Sequence, residues 1–555
     1  MNVLWIMADQ LRWDYLSCAG HPHLHTPNID ALAAKGVRFT NAYVQSPLCG
    51  PSRMSAYTGR YVRSHGSTYN RVPLRVGERT MGDLLREQGV DSVLVGKTHM
   101  VADLEGMERL GIDPDSTIGV GLAECGFRPF ERDDGLHPTG LKRQQPNYND
   151  YLRDLGYSSG NPWQDFANSA KVGGDQRRTD DGELRSGWLL AYADQPANIA
   201  EEHSETPYMI GRAKDFMASA DPDQPWLCHL SLIKPHWPYI VPAPYHSMYG
   251  ASDLLPVNRD AAERGEGAHP VYAAFAETHM SKTFWSDEAR ARALPAYMGL
   301  IKQIDDHLGH LFAWMEAEGR MKDTMIVFSS DHGDYMGDHW MGDKELFHDC
   351  SAKIPLIVYD PRPAADATRG TTDDRLVECI DLAPTFHAFF GGSPLDHHYE
   401  GRSLLPLLEG QPEVAWRQYA VSEMDYGMRE VAHDMGVDVD QARLTMIRDA
   451  RWKYVHALGF RAMLFDLQAD PGERVDLGGE TSDEIVAVLA RFGQAHQAWA
   501  ASYTRTTYTR GQTTARGESE SEHVLIGYWD EADFEAVHGK PFVHPDSRSD
   551  ESITP

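Results

Sequence analysis

The 555-residue sequence lacks the features that mark disulfide-linked or membrane-spanning proteins. Its six cysteines are Cys18, Cys49, Cys125, Cys228, Cys350 and Cys379. Their spacing matches neither a disulfide framework nor a zinc site. No apolar run approaches the roughly 20 residues that a membrane-spanning helix needs, and the apolar segment 1–9 has no basic leader. We therefore expect a reduced, cytoplasmic protein that does not contact a membrane.

Basic residues are also scarce relative to acidic ones. The chain has 52 Lys and Arg against 82 Asp and Glu, which gives a formal net charge of −30. Such a surface repels nucleic acid and anionic membranes, and it argues against polyanionic substrates. Small anions can still bind where local cations focus the electric field. We therefore expect no nucleic-acid partner.

Strand and helix patterns alternate through the first two-thirds of the chain. Residues 3–7 and 324–328 are continuous apolar runs of the length typical of buried strands. Residues 290–316 carry apolar side chains at helical spacing, and 80–89 predicts a short helix before a strand at 91–95. This alternation predicts an α/β fold with a mostly parallel central sheet and helices on both faces.

The same patterns divide the chain into three parts. We expect a large α/β domain over residues 1–414, with polar insertions at about 101–200 and 240–285. Residues 415–503 predict a smaller subdomain with an antiparallel sheet and a closing helix. Residues 504–555 are mostly polar and predict a C-terminal tail.

Polar side chains follow two of the predicted strands. Asp9 and Gln10 come after the first strand, and Asp331 and His332 come after the strand at 324–328. In open α/β sheets, ligands bind beyond the carboxyl ends of the strands. Two carboxylates, an amide oxygen and an imidazole would form a divalent-metal site of mixed oxygen and nitrogen character. The alternative is that each pair is an ordinary turn.

Residues 49–53 read Cys-Gly-Pro-Ser-Arg. Taken alone, this run also fits a buried thiol that precedes a helix with Pro51 in its first turn. It is similar to the signature of the type I sulfatases, in which the cysteine is oxidised to formylglycine. The resemblance extends over roughly residues 1–500 and implies the sulfatase branch of the alkaline phosphatase superfamily, with the fold of that superfamily.

The resemblance implies an aldehyde at residue 49, made from Cys49 by a formylglycine-generating or equivalent maturation enzyme. The hydrated aldehyde presents one hydroxyl that attacks sulfur and a second that allows sulfate to be expelled. Arg53 is expected to hold this hydrate in place. A serine could not complete the cycle, because a sulfated alcohol has no second hydroxyl.

Five further residues match positions of known role in the family. The resemblance implies that Lys97 and Lys344 bind the sulfate group of a small anionic ester. His236 matches the histidine that protonates the leaving group, and His99 is expected to take the proton of the second hydroxyl. Asn70 matches a substrate-contacting position.

The resemblance also implies that Asp9, Gln10, Asp331 and His332 are the metal ligands. Many sulfatases have Asp where this chain has Gln10 and Asn where it has His332; the set found here resembles phosphonate monoester hydrolases and choline sulfatases. We expect one divalent ion, Mn²⁺ or Ca²⁺, with Zn²⁺ as a further option. The loss of one carboxylate moves the preference away from Ca²⁺.

Three functions remain open at this point. The first is hydrolysis of aryl or small alkyl sulfate esters. The second is hydrolysis of phosphonate monoesters and phosphodiesters at the same site, and Lys97 and His99 favour the first because the phosphonate hydrolases have Tyr and Thr there. The third is a non-catalytic anion-binding protein in which Cys49 stays a thiol.

The C-terminal tail carries more large apolar side chains than a free tail usually does. Leaving them in water forgoes about 1.5–3 kcal/mol each, so we expect them to dock. The alternatives are docking on their own domain and exchange with a partner subunit. Since two-fold assemblies are the commonest oligomers, we expect a homodimer or a higher homo-oligomer. The side chains are Val524, Leu525, Ile526, Tyr528, Trp529, Phe534 and Phe542.

Overall fold

The computed structural model describes residues 1–135, 146–175, 177–395, 398–411, 413–502 and 528–542. Residues 1–504 form one compact unit and residues 505–555 form a second. None of the helices in these described ranges combines the length and the apolar character needed to cross a membrane.

An eight-stranded sheet forms the centre of the first unit, with the strand order β10-β2-β9-β8-β1-β7-β3-β4. All its neighbouring pairs are parallel except those that β9 makes with β2 and β8. The fold class predicted from the sequence is therefore confirmed. The strands of this sheet are β1 (Asn2–Asp9), β2 (Val37–Tyr43), β3 (Asp91–Gly96), β4 (Arg128–Arg132), β7 (Trp226–Pro235), β8 (Thr324–Ser330), β9 (Lys353–Tyr359) and β10 (Thr371–Glu378).

Two smaller sheets accompany it, and both are antiparallel. The two-stranded sheet contains β5 (Ser169–Val172) and β6 (Glu183–Ser186). The four-stranded sheet contains β11 (Ala420–Asp425), β12 (Arg443–Arg448), β13 (Trp452–Ala457) and β14 (Met463–Asp466). The four-stranded sheet and the region around β2 share one apolar cluster, which includes Tyr43, Leu48, Met446 and Val455.

The described residues contain seventeen α-helices, of which α1 to α16 belong to the first unit and α17 to the second. They are α1 (Pro27–Lys35), α2 (Cys49–Thr58), α3 (Val62–His65), α4 (Met81–Glu87), α5 (Leu104–Arg109), α6 (Thr117–Ala123), α7 (Asn147–Asp154), α8 (Glu205–Ser219), α9 (Pro270–Ala276), α10 (His279–Phe284), α11 (Asp287–Ala317), α12 (Asp349–Ala352), α13 (Leu382–Phe389), α14 (Leu405–Leu408), α15 (Glu430–Asp434), α16 (Asp483–Ala501) and α17 (Glu531–His538).

Strand β1 shows why the sheet needs helices on both faces. Successive side chains of a strand point to opposite faces, and in β1 both sets are apolar. Leu4 and Ile6 belong to the apolar cluster that also contains residues of α8 and α11. Trp5 and Met7 belong to the cluster on the other face, with residues of α2, α4 and α13. The continuous apolar run in the sequence therefore reflects burial on both sides.

The four central parallel strands bring the predicted site residues to one edge of the sheet. Strands β8, β1, β7 and β3 are neighbours in this order and run in the same direction. Strand β1 ends at Asp9, while Asp331, His236 and Lys97 each follow the last residue of their strand. The sheet thus gathers groups that are up to 322 residues apart in the sequence.

One region differs from what the sequence predicts. Residues 101–200 are more regular than expected, because they include α5 to α7, and β4 extends the central sheet by pairing with β3.

In the second unit, Val524, Leu525 and Ile526 lie outside the described residues. The ring of Phe534 packs 5.4 Å from that of Tyr528 and 5.3 Å from that of Phe542. The expected oligomer stays a prediction.

Helix α1 obtains its N-terminal cap from another helix. The side chain of Thr26, the residue before α1, makes no capping bond. Asp305 of α11 instead accepts bonds from the backbone N–H groups of Asn28, at 3.0 Å, and Ile29, at 2.8 Å. A carboxylate at the positive end of a helix is favourable, so Asp305 ties α1 to α11.

We expect Asp305→Ala to lower the free energy of unfolding by about 2 kcal/mol, because two helical N–H groups lose their acceptor. Asp305→Asn keeps one acceptor oxygen and should lose less. Thermal unfolding followed by circular dichroism would measure the order wild type, Asn, Ala. Equal melting temperatures for the three proteins would show that the cap does not stabilise the fold.

Candidate active site

Cys49 lies at the beginning of α2, in the middle of the site. Its side chain is 1% exposed, and its Sγ lies 3.0 Å from Nε2 of His332. The next backbone N–H, that of Gly50, donates to Oδ1 of Asn70 at 2.8 Å. Asn70 therefore holds the first turn of α2 next to the predicted nucleophile.

The groups around Cys49 stabilise the negatively charged form of its thiol. Burial alone would raise the pKa of the thiol, but Lys344, His332 and Lys97 outweigh burial and hold the pKa well below its usual range. The same positive groups would stabilise an anionic oxygen next to Sγ.

Arg53 lies one helical turn after Cys49 and is fully buried. Its Nε donates to Oδ2 of Asp331 at 2.8 Å, and its Nη2 donates to Oδ2 of Asp9 at 3.1 Å. Its Nη1 donates to the backbone oxygen of Lys97 and to Oγ of Ser231. Arg53 therefore links β1 and β7 to the segments that follow β3 and β8, and it orients the two carboxylates.

Asp9, Cys49, Asp331 and His332 form a buried cluster in which one ligand atom of each lies within 4.8 Å of the others. Oδ2 of Asp9 accepts bonds from Arg53 and Lys97, whereas its buried Oδ1 has no hydrogen-bond partner. A buried carboxylate oxygen without a donor is costly unless a cation binds it. This set of donors fits a divalent ion.

The two charges next to Asp9 also keep it ionised. Burial alone would raise its pKa, but Lys97, His236 and Arg53 together outweigh burial and hold the pKa well below the usual range. The pKa of His332 is shifted upward instead. Burial would lower its pKa, but Asp331 and Cys49 raise it to about 9. Binding of a metal ion by the His332 imidazole would therefore displace a proton.

Gln10 has a fixed side-chain orientation. Its Nε2 donates to Oδ2 of Asp334 and, at 3.2 Å, to Oδ1 of Asp343, while its Oε1 accepts from Nζ of Lys344 at 2.8 Å. The hydroxyl of Tyr239 also donates to Asp334. Because two carboxylates bind the amide nitrogen of Gln10, its amide oxygen points toward Lys344.

Nε2 of His236 lies next to the ammonium group of Lys344. Its Nδ1 donates to the backbone oxygen of Trp237 at 2.7 Å, so Nε2 is free to accept from Nζ of Lys344 at 3.1 Å. Burial lowers the pKa of His236, and Lys344 lowers it further. The neutral imidazole is therefore the stable form, with its lone pair directed at the lysine.

His99 is half-buried on the other side of Lys97. Its backbone N–H donates to Oδ1 of Asp134 at 3.2 Å, and its Nδ1 has no hydrogen-bond partner. Burial lowers its pKa, and Lys97 lowers it further. His99 is thus a neutral imidazole with an unused ring nitrogen, which suits a proton acceptor.

Gly96 allows β3 to pack closely against β7 just before Lys97. It ends β3 with φ of +116°, and a Cβ atom there would lie 2.0 Å from the backbone oxygen of Ser231. A larger residue could not occupy this position without moving β3 away from β7. The glycine in the Gly-Lys pair therefore has a structural role that sequence alone does not reveal.

The structure brings the predicted residues together around Cys49. It adds groups that the sequence did not single out. Asp334 and Asp343 could have been suspected, since one follows His332 by two residues and the other precedes Lys344. Nothing in the sequence pointed to Ser231 or Tyr239, because their contacts with Arg53 and Asp334 join segments that are distant in the sequence. The predicted residues in the network are Asp9, Gln10, Cys49, Arg53, Asn70, Lys97, His99, His236, Asp331, His332 and Lys344.

Comparison with known proteins identifies the family of this chain. The sulfatase family profile matches residues 1–113 and 125–392, and the C-terminal profile of N-sulphoglucosamine sulphohydrolase matches residues 337–494. The multifunctional alkaline phosphatase superfamily protein PehA of Trinickia caryophylli is 30% identical over 94% of this chain and 99% of its own length. An arylsulfatase of Clostridium perfringens is 28% identical over 86% of this chain and 90% of its own length.

A solved structure is similar over nearly the same length. The phosphonate monoester hydrolase of Agrobacterium radiobacter superimposes with a TM-score of 0.77 and 28% identity. The match covers 94% of this chain and all of that one. From the profile match over more than half of its length and from these relatives, the chain belongs to the sulfatase family of the alkaline phosphatase superfamily.

Proposed function

We propose that this protein hydrolyses sulfate monoesters, and that phosphonate monoesters and phosphodiesters are weaker substrates. The observation that carries the proposal is the environment of Cys49. Its Sγ lies 3.0 Å from His332, and the positive charges of Lys97 and Lys344 lower its pKa. A tetrahedral anion would find two cations and a nucleophile at the same place.

In the proposed reaction, residue 49 acts as formylglycine, whose hydrate offers two hydroxyl groups. A separate maturation enzyme is proposed to oxidise Cys49. A divalent ion bound by Asp9, Gln10, Asp331 and His332 would supply Lewis acidity and lower the pKa of a hydroxyl bound to it. Mn²⁺ and Ca²⁺ are the ions that we propose first, with Zn²⁺ as a further option.

The chain's own residues supply the remaining chemistry. Lys97 and Lys344 neutralise charge on the sulfuryl oxygens. His236 donates a proton from Nε2, which lies 3.1 Å from Nζ of Lys344, to the leaving oxygen. The bound anion offsets the charge of Lys344, so His236 takes up this proton before the bond to sulfur breaks. A ring nitrogen of His99 accepts the proton of the second hydroxyl, which breaks the bond to sulfate and restores the aldehyde.

A second candidate function is hydrolysis of phosphonate monoesters as the main activity. It is favoured by the similarity to the hydrolase of Agrobacterium radiobacter over 94% of this chain. Lys97 and His99 argue for sulfate, because they place a cation and a proton acceptor where those hydrolases are expected to have hydroxyl groups.

We expect Cys49→Ala and Cys49→Ser to fold normally and to lose nearly all multiple turnover, because neither can form a hydrate with two hydroxyls. Steady-state kinetics and circular dichroism would measure both. Mass spectrometry of the wild-type peptide spanning residue 49 should show that one oxygen has replaced one sulfur and two hydrogens. Turnover by the serine variant at a rate near that of wild type would contradict the proposed nucleophile.

We expect Asp331→Asn and His332→Ala to lower metal occupancy, because each removes a charged or nitrogen donor from the buried cluster. Elemental analysis of purified protein gives the occupancy directly, without reference to activity. Asp366→Asn, at a carboxylate whose side chain is 68% exposed, is the matched control. Full occupancy in both site variants would mean that the ion binds elsewhere.

We expect kcat/KM for 4-nitrophenyl sulfate to exceed that for the matched phenylphosphonate ester and phosphodiester by about tenfold or more, because Lys97 and His99 suit a sulfate ester. All three substrates should be assayed with the same preparation of metal-loaded enzyme. A higher value for the phosphonate ester would reverse the ranking and favour the second candidate function.

A further inference from the structure

A large apolar cleft opens next to His236. Its volume is about 810 Å³, in the upper part of the range of pockets that bury drug-sized ligands. A nitrophenyl group would fill only part of it. Aromatic and aliphatic side chains form most of its wall. They include Trp188, Leu190, Tyr192, Trp237, Met280 and Phe284.

The cleft is continuous with the proposed proton donor. The rings of His236 and Trp237 are 4.1 Å apart between centroids, and Nζ of Lys344 lies 5.5 Å from the Trp237 ring. Nε1 of Trp237 donates to Oδ1 of Asp343 at 3.3 Å. Because the Lys344–His236 pair serves the leaving oxygen, the rest of the leaving group lies on the Trp237 side.

Trp188 and Trp237 form a rigid corner of this cleft. Their rings meet edge to face with centroids 5.1 Å apart. Nε1 of Trp188 donates to Oε1 of Gln164 at 2.7 Å, which fixes the ring from behind. A preorganised aromatic corner binds flat apolar groups without first paying the entropy of ordering its own side chains.

The charges around the cleft disfavour a second anionic group on the substrate. Among the described residues that line it, Arg292 is the one arginine or lysine. It is paired with Asp194 and Glu288, each at 3.2 Å. At the active-site end, the carboxylate of Asp343 faces the cleft. A leaving group with further sulfates or carboxylates would meet repulsion there without a free cation in compensation.

We propose that the substrates are monoesters of bulky, uncharged, apolar alcohols or phenols with more than one ring, and that Trp188 and Trp237 determine this specificity. The inference rests on the proposed function and names the substrate class of that same site. Flat polycyclic groups fit the volume, the aromatic corner and the absence of a free cation among the described lining residues.

The test compares kcat/KM for phenyl sulfate, biphenyl-4-yl sulfate and glucose 6-sulfate. The two phenols are of similar acidity, so the chemical step is matched while the apolar area differs by one ring. We expect the biphenyl ester to exceed the phenyl ester by about tenfold or more, because the second ring is removed from water. A ratio near one, or a preference for the sugar sulfate, would overturn the inference.

Variants at Trp188 separate specificity from chemistry. Trp188→Ala should lower the biphenyl-to-phenyl ratio by about tenfold, and Trp188→Phe should restore most of it, because a flat ring is retained. Trp314→Ala is the control: it removes an equally large side chain roughly 35 Å farther along α11 than the cleft residues. An unchanged ratio in Trp188→Ala would contradict the assigned role.

The outcomes also distinguish the two proposals. Turnover of phenyl sulfate with a biphenyl-to-phenyl ratio near one would overturn the substrate class and leave the sulfatase function standing. Absence of turnover for all three sulfates by a protein with formylglycine and metal in place would overturn the proposed function, and the inference with it.

Discussion

The site depends on the buried ion pairs between Arg53 and the carboxylates of Asp9 and Asp331. These carboxylates come from adjacent parallel strands, and both are fully buried. Two such charges would repel each other strongly in a medium of low dielectric constant. Arg53 offers its Nε to one and its Nη2 to the other, so a single planar group sets their separation.

This arrangement also explains why the nucleophile lies on a helix. Cys49 and Arg53 are four residues apart on α2, and residues at this spacing project from the same helix face. When the guanidinium is fixed by the carboxylates, the position of residue 49 follows. Pro51 suits the first turn of α2, and Asn70 accepts the bond from the Gly50 N–H. The short motif is therefore a unit of structure as well as of chemistry.

The sequence predicted the fold class and the placement of Asp9 and Asp331 at strand ends, because local apolar patterns define the strands and parallel strands align their carboxyl ends. It did not predict the antiparallel direction of β9 or the strand β4 in a polar segment. Both depend on pairing between distant residues. The positions of Asp334 and Asp343 around Gln10 were also hidden, since contacts between loops leave no periodic signal.

Helix α11 contacts both the apolar cleft and the proposed metal site, and this double contact limits how the cleft can change among related enzymes. Its first turns line the apolar cleft, and Tyr297, farther along, donates its hydroxyl to the backbone oxygen of Gln10 at 2.8 Å. One wall of the cleft is thus rigidly coupled to a proposed metal ligand. A second part of the wall, residues 187–192, contains none of the predicted site residues. Exchange of that loop could redirect the enzyme to new alcohols while the geometry of bond cleavage stays the same.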